Sequence, residues 1–179
     1  MKALLCLRFM AINTISVDYL IKEFDLQPHP EGGYFREPYR AQGIIKKQVL
    51  PPTFKGDRNY STTVYFLLPK RSKSRLHRLP SDEVWHFYLG GPLKLIIINK
   101  EGAVEEITLG HNVQAGHKLQ YVVPAGLWFG SYPAKGTAYS FVGCTVAPGF
   151  DFADLEMAKK EDLLKHYPQA KKTIEFLAT

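Results

Sequence analysis

One stretch of the sequence decides the fold of this chain: Ser74-Arg75-Leu76-His77-Arg78-Leu79-Pro80-Ser81-Asp82-Glu83-Val84-Trp85-His86-Phe87-Tyr88-Leu89-Gly90. It contains the imidazole of His77, followed by the carboxylate of Glu83 and then by Gly90. A second block, Val122-Val123-Pro124-Ala125-Gly126-Leu127-Trp128-Phe129-Gly130, contributes a Pro-x-Gly turn followed by Phe129. Together the two blocks make His77 and Glu83 the candidate site residues of the chain.

Most of the chain between Tyr34 and Phe150 has the pattern of strands and turns. Residues 34–40 alternate large side chains and are expected to be extended. Further segments between Gly and Pro residues are rich in β-branched and aromatic side chains, namely 62–68, 83–89, 93–98, 118–123 and 138–146. Many short strands at this spacing predict a sandwich or barrel, so the fold class is mainly β.

Helices are expected only near the two ends of the chain. Ser16 is a good N-cap in front of apolar residues at helical spacing, which predicts a helix over 16–24. Leucines in a charged background predict a second helix from about Asp154 to Pro168, followed by one or two turns through Ile174 to Leu177. No repeat or linker divides residues 16–179, which we interpret as a single domain.

Composition limits the class of protein. The chain has 179 residues, of which 45% are hydrophobic, and this suits one globular domain with a substantial core. We interpret residues 1–15 as a leader, either poorly ordered or upstream of an alternative start at Met10, because Arg8 interrupts its apolar run. The two cysteines, Cys6 and Cys144, are too few for a disulfide scaffold and favour a reducing, cytoplasmic location. No apolar run approaches the roughly 20 residues that a membrane helix needs.

The charge of the chain is positive, with a formal value of +6 at pH 7. Such a field attracts anions, and either an acidic ligand or a nucleic acid would satisfy it. The one tight basic cluster, residues 70–75, lies in a predicted loop without the interleaved aromatic residues that base stacking needs. We therefore expect a solvated loop, with phosphate contact as the alternative, and no nucleic-acid partner.

The candidate site is centred on His77 and Glu83. A buried carboxylate must be paired or its pKa rises, and either outcome is useful for proton transfer. Alternation in the strand places Glu83 and Trp85 on one face and His86 on the other, so Trp85, with Phe129, is expected to line the cavity. The alternative is that His77 and Glu83 only satisfy each other's hydrogen bonds inside the fold.

Four further residues are candidates for ligand contact. Tyr34 and Arg36 share one face of their strand, so a phenol and a guanidinium are expected to point together at an anionic or hydroxylated ligand. A surface ion pair of Arg36 with Glu37 is the alternative. Gln120 and Tyr139 lie on strands that border the same cavity, although nothing in the sequence fixes the direction in which they face. Three further histidines, His29, His111 and His117, are expected to be loop residues.

Three blocks carry a resemblance to a known family. They are His29-Pro30-Glu31-Gly32-Gly33-Tyr34-Phe35-Arg36-Glu37, Ser81-Asp82-Glu83-Val84-Trp85-His86-Phe87-Tyr88 and Val142-Gly143-Cys144-Thr145-Val146-Ala147-Pro148-Gly149-Phe150-Asp151-Phe152. From about Val17 onward the chain resembles the cupin-5 family of RmlC-like cupins. The resemblance implies a double-stranded β-helix, or jelly roll, that forms a homodimer and has a ligand-sized cavity at one end. It does not fix the function, because this fold also serves dTDP-sugar epimerases, metal-dependent enzymes and hormone-binding proteins.

The resemblance also allows a comparison with the cupin metal motif, His-x-His, then Glu and Gly, with a last His after Pro-x-Gly. If His77 is the first ligand, Glu83 and Gly90 fall in register, but Leu79 and Phe129 occupy the positions of two histidines. Two protein ligands rarely hold a catalytic transition metal. We therefore expect no metal or other cofactor, and a metal would have only His77 and Glu83 as ligands.

Three functions are consistent with these residues. The first is the binding of a small polar or sugar-like metabolite in the barrel without a full metal cage. The second is a metal-independent sugar epimerase or isomerase, in which His77 is the base, Glu83 orients it, Tyr34 or Tyr139 is the acid and Arg36 holds a diphosphate. The third is a metal-dependent cupin enzyme. The sequence leaves open whether the protein is an enzyme.

Overall fold

A computed structural model describes residues 15–178, so the predicted leader lies, apart from Ile15, outside the described residues. Within this range the structure has thirteen strands and three α-helices. The strands are β1 (Gln27–Pro28), β2 (Tyr34–Arg40), β3 (Ile44–Ile45), β4 (Arg58–Asn59), β5 (Thr62–Pro69), β6 (Ser74–Arg78), β7 (Asp82–Gly90), β8 (Leu93–Ile98), β9 (Val104–Leu109), β10 (Gln120–Val123), β11 (Trp128–Pro133), β12 (Tyr139–Ala147) and β13 (Glu156–Met157). The helices are α1 (Val17–Glu23), α2 (Lys160–His166) and α3 (Lys171–Leu177).

Two antiparallel sheets form the barrel. The larger has the order β1-β2-β5-β12-β7-β10, the smaller has the order β13-β6-β11-β8-β9, and β3 pairs separately with β4. The inner faces of both sheets share one apolar core, to which β5 contributes Phe66, β7 contributes Trp85 and β11 contributes Phe129. This arrangement confirms the mainly β, jelly-roll fold with short terminal helices.

The helices cover the outer faces of the sheets. The Ser16 hydroxyl accepts the backbone N–H of Tyr19 at 3.1 Å, which starts α1 where the sequence predicted it. Leu20 of α1 packs on the larger sheet, and Ile174 of α3 packs on the smaller. None of the helices between residues 15 and 178 is long and apolar enough to span a membrane.

The C-terminal helix begins later than predicted. Asp154 ends a short 3₁₀ turn and Glu156–Met157 pairs with β6, so α2 starts only at Lys160. Asp154 is committed to an ion pair with Arg58, with a 2.6 Å contact, and this long-range contact overrides the local helical pattern.

Strand β6 was not predicted and is essential to the site. Its register with β11 shifts between the Phe129–His77 and Ser131–Ser74 pairs, which is a β-bulge. Gly130 lies at this bulge, where a Cβ atom would come within 2.8 Å of the Ser74 carbonyl oxygen. Both Ser74 and His77 consequently reach the same buried carboxyl group, that of Glu31.

Candidate functional site

A cavity of about 70 Å³ opens between the sheets at one end of the barrel. Seven of the side chains that line it are titratable: His29, Glu31, Glu37, Arg40, His77, Glu83 and Cys144. Most of its walls are apolar, formed by Phe35, Val64, Phe66, Leu79, Val146, Phe150 and Phe152. The cavity therefore combines a small set of acid–base groups with largely apolar walls.

Glu31 reaches the cavity from the turn that joins β1 to β2. Gly32 and Gly33 have φ values of +113° and +71°, a region that favours glycine. A Cβ atom on Gly32 would lie 2.1 Å from the Lys73 carbonyl oxygen, so only glycine allows the turn to approach the start of β6 this closely. The two glycines thus place the Glu31 carboxyl group, which is 6% exposed, against Ser74 and His77.

Hydrogen bonds fix the protonation of the Glu31–His77 pair. Nδ1 of His77 lies 2.7 Å from the carbonyl oxygen of Arg75, which can only accept, so this nitrogen carries a proton. Nε2 lies 3.1 Å from Oε2 of Glu31, and the Ser74 hydroxyl donates to the other carboxyl oxygen at 3.1 Å. Burial lowers the pKa of His77 and raises the pKa of Glu31 to about 8. At neutral pH the pair is therefore a carboxylic acid that donates to a neutral imidazole.

Glu83 is a residue of the site whose carboxyl group lacks a hydrogen-bond partner at one oxygen within residues 15–178. It lies on the inner face of β7, is 8% exposed, and accepts a hydrogen bond from the thiol of Cys144. Among the described residues, no group hydrogen-bonds its buried Oε2. Burial raises the pKa of Glu83 to about 7, with Glu31 acting in the same direction and His77 opposing it. A buried acceptor without a partner is rare and costly, so Oε2 requires a donor from outside the chain.

His29 lies in the loop between β1 and β2, as expected, and it also lines the cavity. Its Nδ1 accepts the backbone N–H of Glu31 at 3.3 Å, which leaves the proton of the neutral ring on Nε2. The His29 ring packs edge-on against Phe35, with 4.5 Å between the ring centroids, and stacks on Phe152, with 5.7 Å between the centroids. Burial lowers the pKa of His29 to about 4, with His77 acting in the same direction, so the ring is neutral at pH 7.

The structure brings together part of the predicted site. His77 and Glu83 both line the cavity, and His86 lies on the opposite face of β7, where its ring contacts the Thr145 hydroxyl at 3.1 Å. Phe129 packs 4.1 Å from the His77 ring, and Trp85 packs edge-on against Phe129. Both aromatic residues belong to the core and neither is among the residues that line the cavity, so ligand contact by Trp85 or Phe129 stays a prediction.

The other predicted contact residues lie outside the cavity. Arg36 donates to a carboxylate oxygen of Asp25 at 3.2 Å, while Tyr34 and Tyr139 pack on the outer cluster beneath α1. Gln120 is exposed on β10, at the edge of the larger sheet. Alternation grouped Tyr34 with Arg36 correctly, but it is Phe35, the residue between them, that faces inward.

Arg40 lines the cavity with a cationic side chain, and neighbouring groups of the protein bind it. Its guanidinium donates to both carboxylate oxygens of Glu37, at 2.8 and 2.7 Å, to the Asn59 side chain at 2.9 Å and to the Phe150 carbonyl oxygen at 3.1 Å. Glu37 therefore pairs with Arg40 and not with Arg36. This network fixes the wall on which Phe150 lies.

The donor set does not fit a transition metal. Between residues 15 and 178, no group of three or more His, Cys, Asp or Glu side chains is arranged to hold a metal ion. Leu79 lines the cavity with an apolar side chain, and the Phe129 ring covers His77. Both nitrogens of His77 are already engaged, by the Arg75 carbonyl and by Glu31.

Comparisons with known proteins agree with this architecture. The model of the family Cupin_5, described as cupin superfamily (DUF985), matches residues 18–158. The uncharacterized protein YML079W of Saccharomyces cerevisiae is 30% identical, over 91% of this chain and 86% of its own. A hypothetical protein from Leishmania major has 37% identity and a TM-score of 0.82, covering 91% of this chain and 98% of its own. Protein SO0799 from Shewanella oneidensis has 36% identity and a TM-score of 0.80, covering 92% and 98%.

A more distant likeness concerns the fold alone. A mutant of Bacillus subtilis oxalate decarboxylase OxdC is 17% identical with a TM-score of 0.52, covering 85% of this chain and 37% of its own.

Proposed function

Because the chain belongs to the cupin family Cupin_5 (DUF985), whose fold surrounds a cavity, we propose that it binds a small polar metabolite there without a metal cage. The observation that carries this proposal is the buried Oε2 of Glu83, which lines the cavity and has no hydrogen-bond partner among the described residues. A ligand that donates one hydrogen bond to this oxygen removes the cost of leaving it unpaired.

The size and walls of the cavity limit the ligand. A volume of about 70 Å³ suits a small molecule, no larger than a simple sugar, and excludes a complete nucleotide-sugar from the interior. The apolar walls favour a ligand with a compact carbon body, and the few polar groups would fix its orientation.

The arrangement argues against an epimerase that uses His77 as its base. Nδ1 of His77 already donates to a carbonyl group, and Nε2 accepts a hydrogen bond from the carboxyl group of Glu31. Tyr34 and Tyr139, the candidate acids, pack outside the cavity. Binding without turnover therefore has the stronger support.

The proposal is tested by thermal unfolding with a panel of small polyols, hydroxy acids and amino alcohols. At a concentration of 100 times its Kd, a ligand stabilises the folded state by about 2.7 kcal/mol, which raises Tm by about 5 to 10 °C in a chain of this size. Glu83→Gln, which nearly preserves the side-chain volume, is expected to lose the response. Glu156→Gln, which changes an exposed carboxylate paired with Arg78, is the matched control and is expected to keep it. A panel that shifts neither protein, or that shifts the Glu83 variant equally, contradicts the proposal.

A further inference from the structure

We propose that the cavity selects small protonated amines, with the ammonium group bound at Glu83 and the carbon atoms packed against the aromatic walls. This inference rests on the proposed function and adds the chemical class of the ligand. It is carried by the open oxygen of Glu83, by the charge balance of the lining and by the rings that surround it.

Because Glu31 keeps its proton and Arg40 balances Glu37, an ionised Glu83 gives the lining a net negative charge, although the chain as a whole is positive. Three carboxyl side chains line the cavity, namely Glu31, Glu37 and Glu83, although the chain carries a formal charge of +6. The cationic lining residue, Arg40, is held by Glu37, Asn59 and the Phe150 carbonyl. An anionic ligand would meet Glu83 without a cation available to receive it, whereas a cationic ligand would meet an acceptor.

Glu83 is the one of these carboxyl groups that remains open. Ser74 and His77 occupy the two oxygens of Glu31, and Arg40 occupies both oxygens of Glu37. The groups that interact electrostatically with Glu83 are His77, Glu31 and Cys144, and none of them supplies a cation at neutral pH. An ionised Glu83 is therefore a buried charge that needs an external cation as its partner.

The walls suit an alkylammonium group better than a polyol. The rings of Phe35, Phe66, Phe150 and Phe152 line the cavity, and aromatic faces attract a cation through their quadrupoles. A polyol would bury several hydroxyl groups against these rings without hydrogen-bond partners. A primary ammonium group has three donors, and Oε2 of Glu83 is an acceptor without a donor.

The test compares pairs of probes that differ in charge and little in shape. Isothermal titration calorimetry at pH 8 compares ethanolammonium with ethylene glycol, and choline with its neutral isostere 3,3-dimethyl-1-butanol. A hydrogen-bonded charge pair in a buried site makes ethanolammonium bind at least about tenfold more tightly than ethylene glycol. Glu83→Gln abolishes this difference, and the exposed control Glu156→Gln keeps it.

Two further measurements separate the roles of charge and rings. Ethanolammonium binds more tightly at pH 8 than at pH 6, because the amine stays protonated while Glu83 must be ionised to receive it. Titrations at pH 7 in two buffers of different ionisation enthalpy show proton release on binding.

The aromatic wall offers a second variant if Glu83→Gln does not fold. Phe152→Leu, at a half-exposed position, is expected to weaken the binding of ethanolammonium and to leave the binding of ethylene glycol unchanged.

The inference and the proposed function fail in different ways. Equal affinity for ethanolammonium and ethylene glycol, or tighter binding of acetate than of either, overturns the amine assignment and leaves metabolite binding intact. Preference for choline over ethanolammonium would also overturn it, because a quaternary ammonium cannot donate to Oε2. Failure of every probe, together with an unresponsive metabolite panel, overturns both.

Discussion

Two buried clusters of charged residues in this barrel differ in how completely their charges are balanced. Arg58 and Asp154 are each 4% exposed at the side chain and meet at 2.6 Å, and Asp154 also accepts the backbone N–H of Lys55 at 3.0 Å. In the cavity, Glu83 is equally buried but keeps one oxygen without a partner in residues 15–178. Nη2 of Arg58 makes no regular hydrogen bond with the described residues, but its charge is balanced within the chain and stabilises the fold, whereas a carboxylate without a cationic partner is available to a ligand.

The largest expected effect comes from breaking the buried Arg58–Asp154 ion pair. Asp154→Ala leaves the Arg58 guanidinium buried without its carboxylate, and this costs about 3 to 5 kcal/mol of unfolding free energy. Urea denaturation followed by far-UV circular dichroism measures it. The exposed Arg78–Glu156 pair is the control, and Glu156→Ala is expected to cost less than about 1 kcal/mol. Equal costs for the two variants would remove the distinction between the clusters.

The second effect is a loss of stability as the pH rises. In the folded protein Glu31 and Glu83 keep their protons up to about pH 8 and about pH 7, while in the unfolded chain they release them near 4.5. Between these values the folded state binds more protons, so each rise in pH favours unfolding. His29, His77 and His86 act in the opposite sense, because burial lowers their pKa values from 6.5, that of His29 to about 4, and most of their contribution is complete by about pH 7.

Above about pH 7 the two glutamates make the largest contribution. The free energy of unfolding is expected to fall by on the order of 2 kcal/mol between pH 6.5 and 8, since one pKa unit corresponds to about 1.4 kcal/mol. Urea denaturation at several pH values measures this change. Glu83→Gln removes one of the two titrations and should make the profile shallower. A stability that stays flat or increases over this range would show that the site is compensated within the chain.

A smaller effect is expected at Ser74, whose hydroxyl donates to Glu31. Ser74→Ala removes this donor from a fully buried position and costs about 1 to 2 kcal/mol, because a carboxyl oxygen loses its partner. The same urea denaturation measures the cost, with Ser72→Ala, at a partly buried turn, as the comparison. A Ser74 variant as stable as the wild type would mean that water replaces the hydroxyl.

The strands were predictable where the two faces differ clearly in polarity. In β7 the alternation of Glu83 and Trp85 with His86 fixed the inner face correctly. In β2 alternation could not choose a side, because α1 covers one face and the cavity lies at the other, so both faces carry aromatic residues. Which face of β2 points into the barrel depends on the packing of α1. No local sequence pattern contains this information.

Part of the cavity's acid–base set could not be derived from local sequence. Glu31 becomes a site residue through contacts with Ser74 and His77, which follow it by more than 40 positions along the chain. The bulge in β6 breaks the two-residue period that would have identified the strand. One signal was present, the pair Gly32-Gly33 directly after Glu31, because consecutive glycines indicate a turn that another part of the backbone approaches closely.

The smallest effect tests the residue that sequence reasoning placed in the pocket and the structure places outside it. Arg36 and Asp25 are 48% and 70% exposed at their side chains, so their ion pair is screened by solvent. Arg36→Ala is expected to cost less than about 1 kcal/mol of unfolding free energy and to leave the ethanolammonium affinity unchanged. Calorimetric titration alongside Glu83→Gln checks both statements. A tenfold loss of affinity in Arg36→Ala would place the guanidinium in the binding site and reverse the assignment of the inner face of β2.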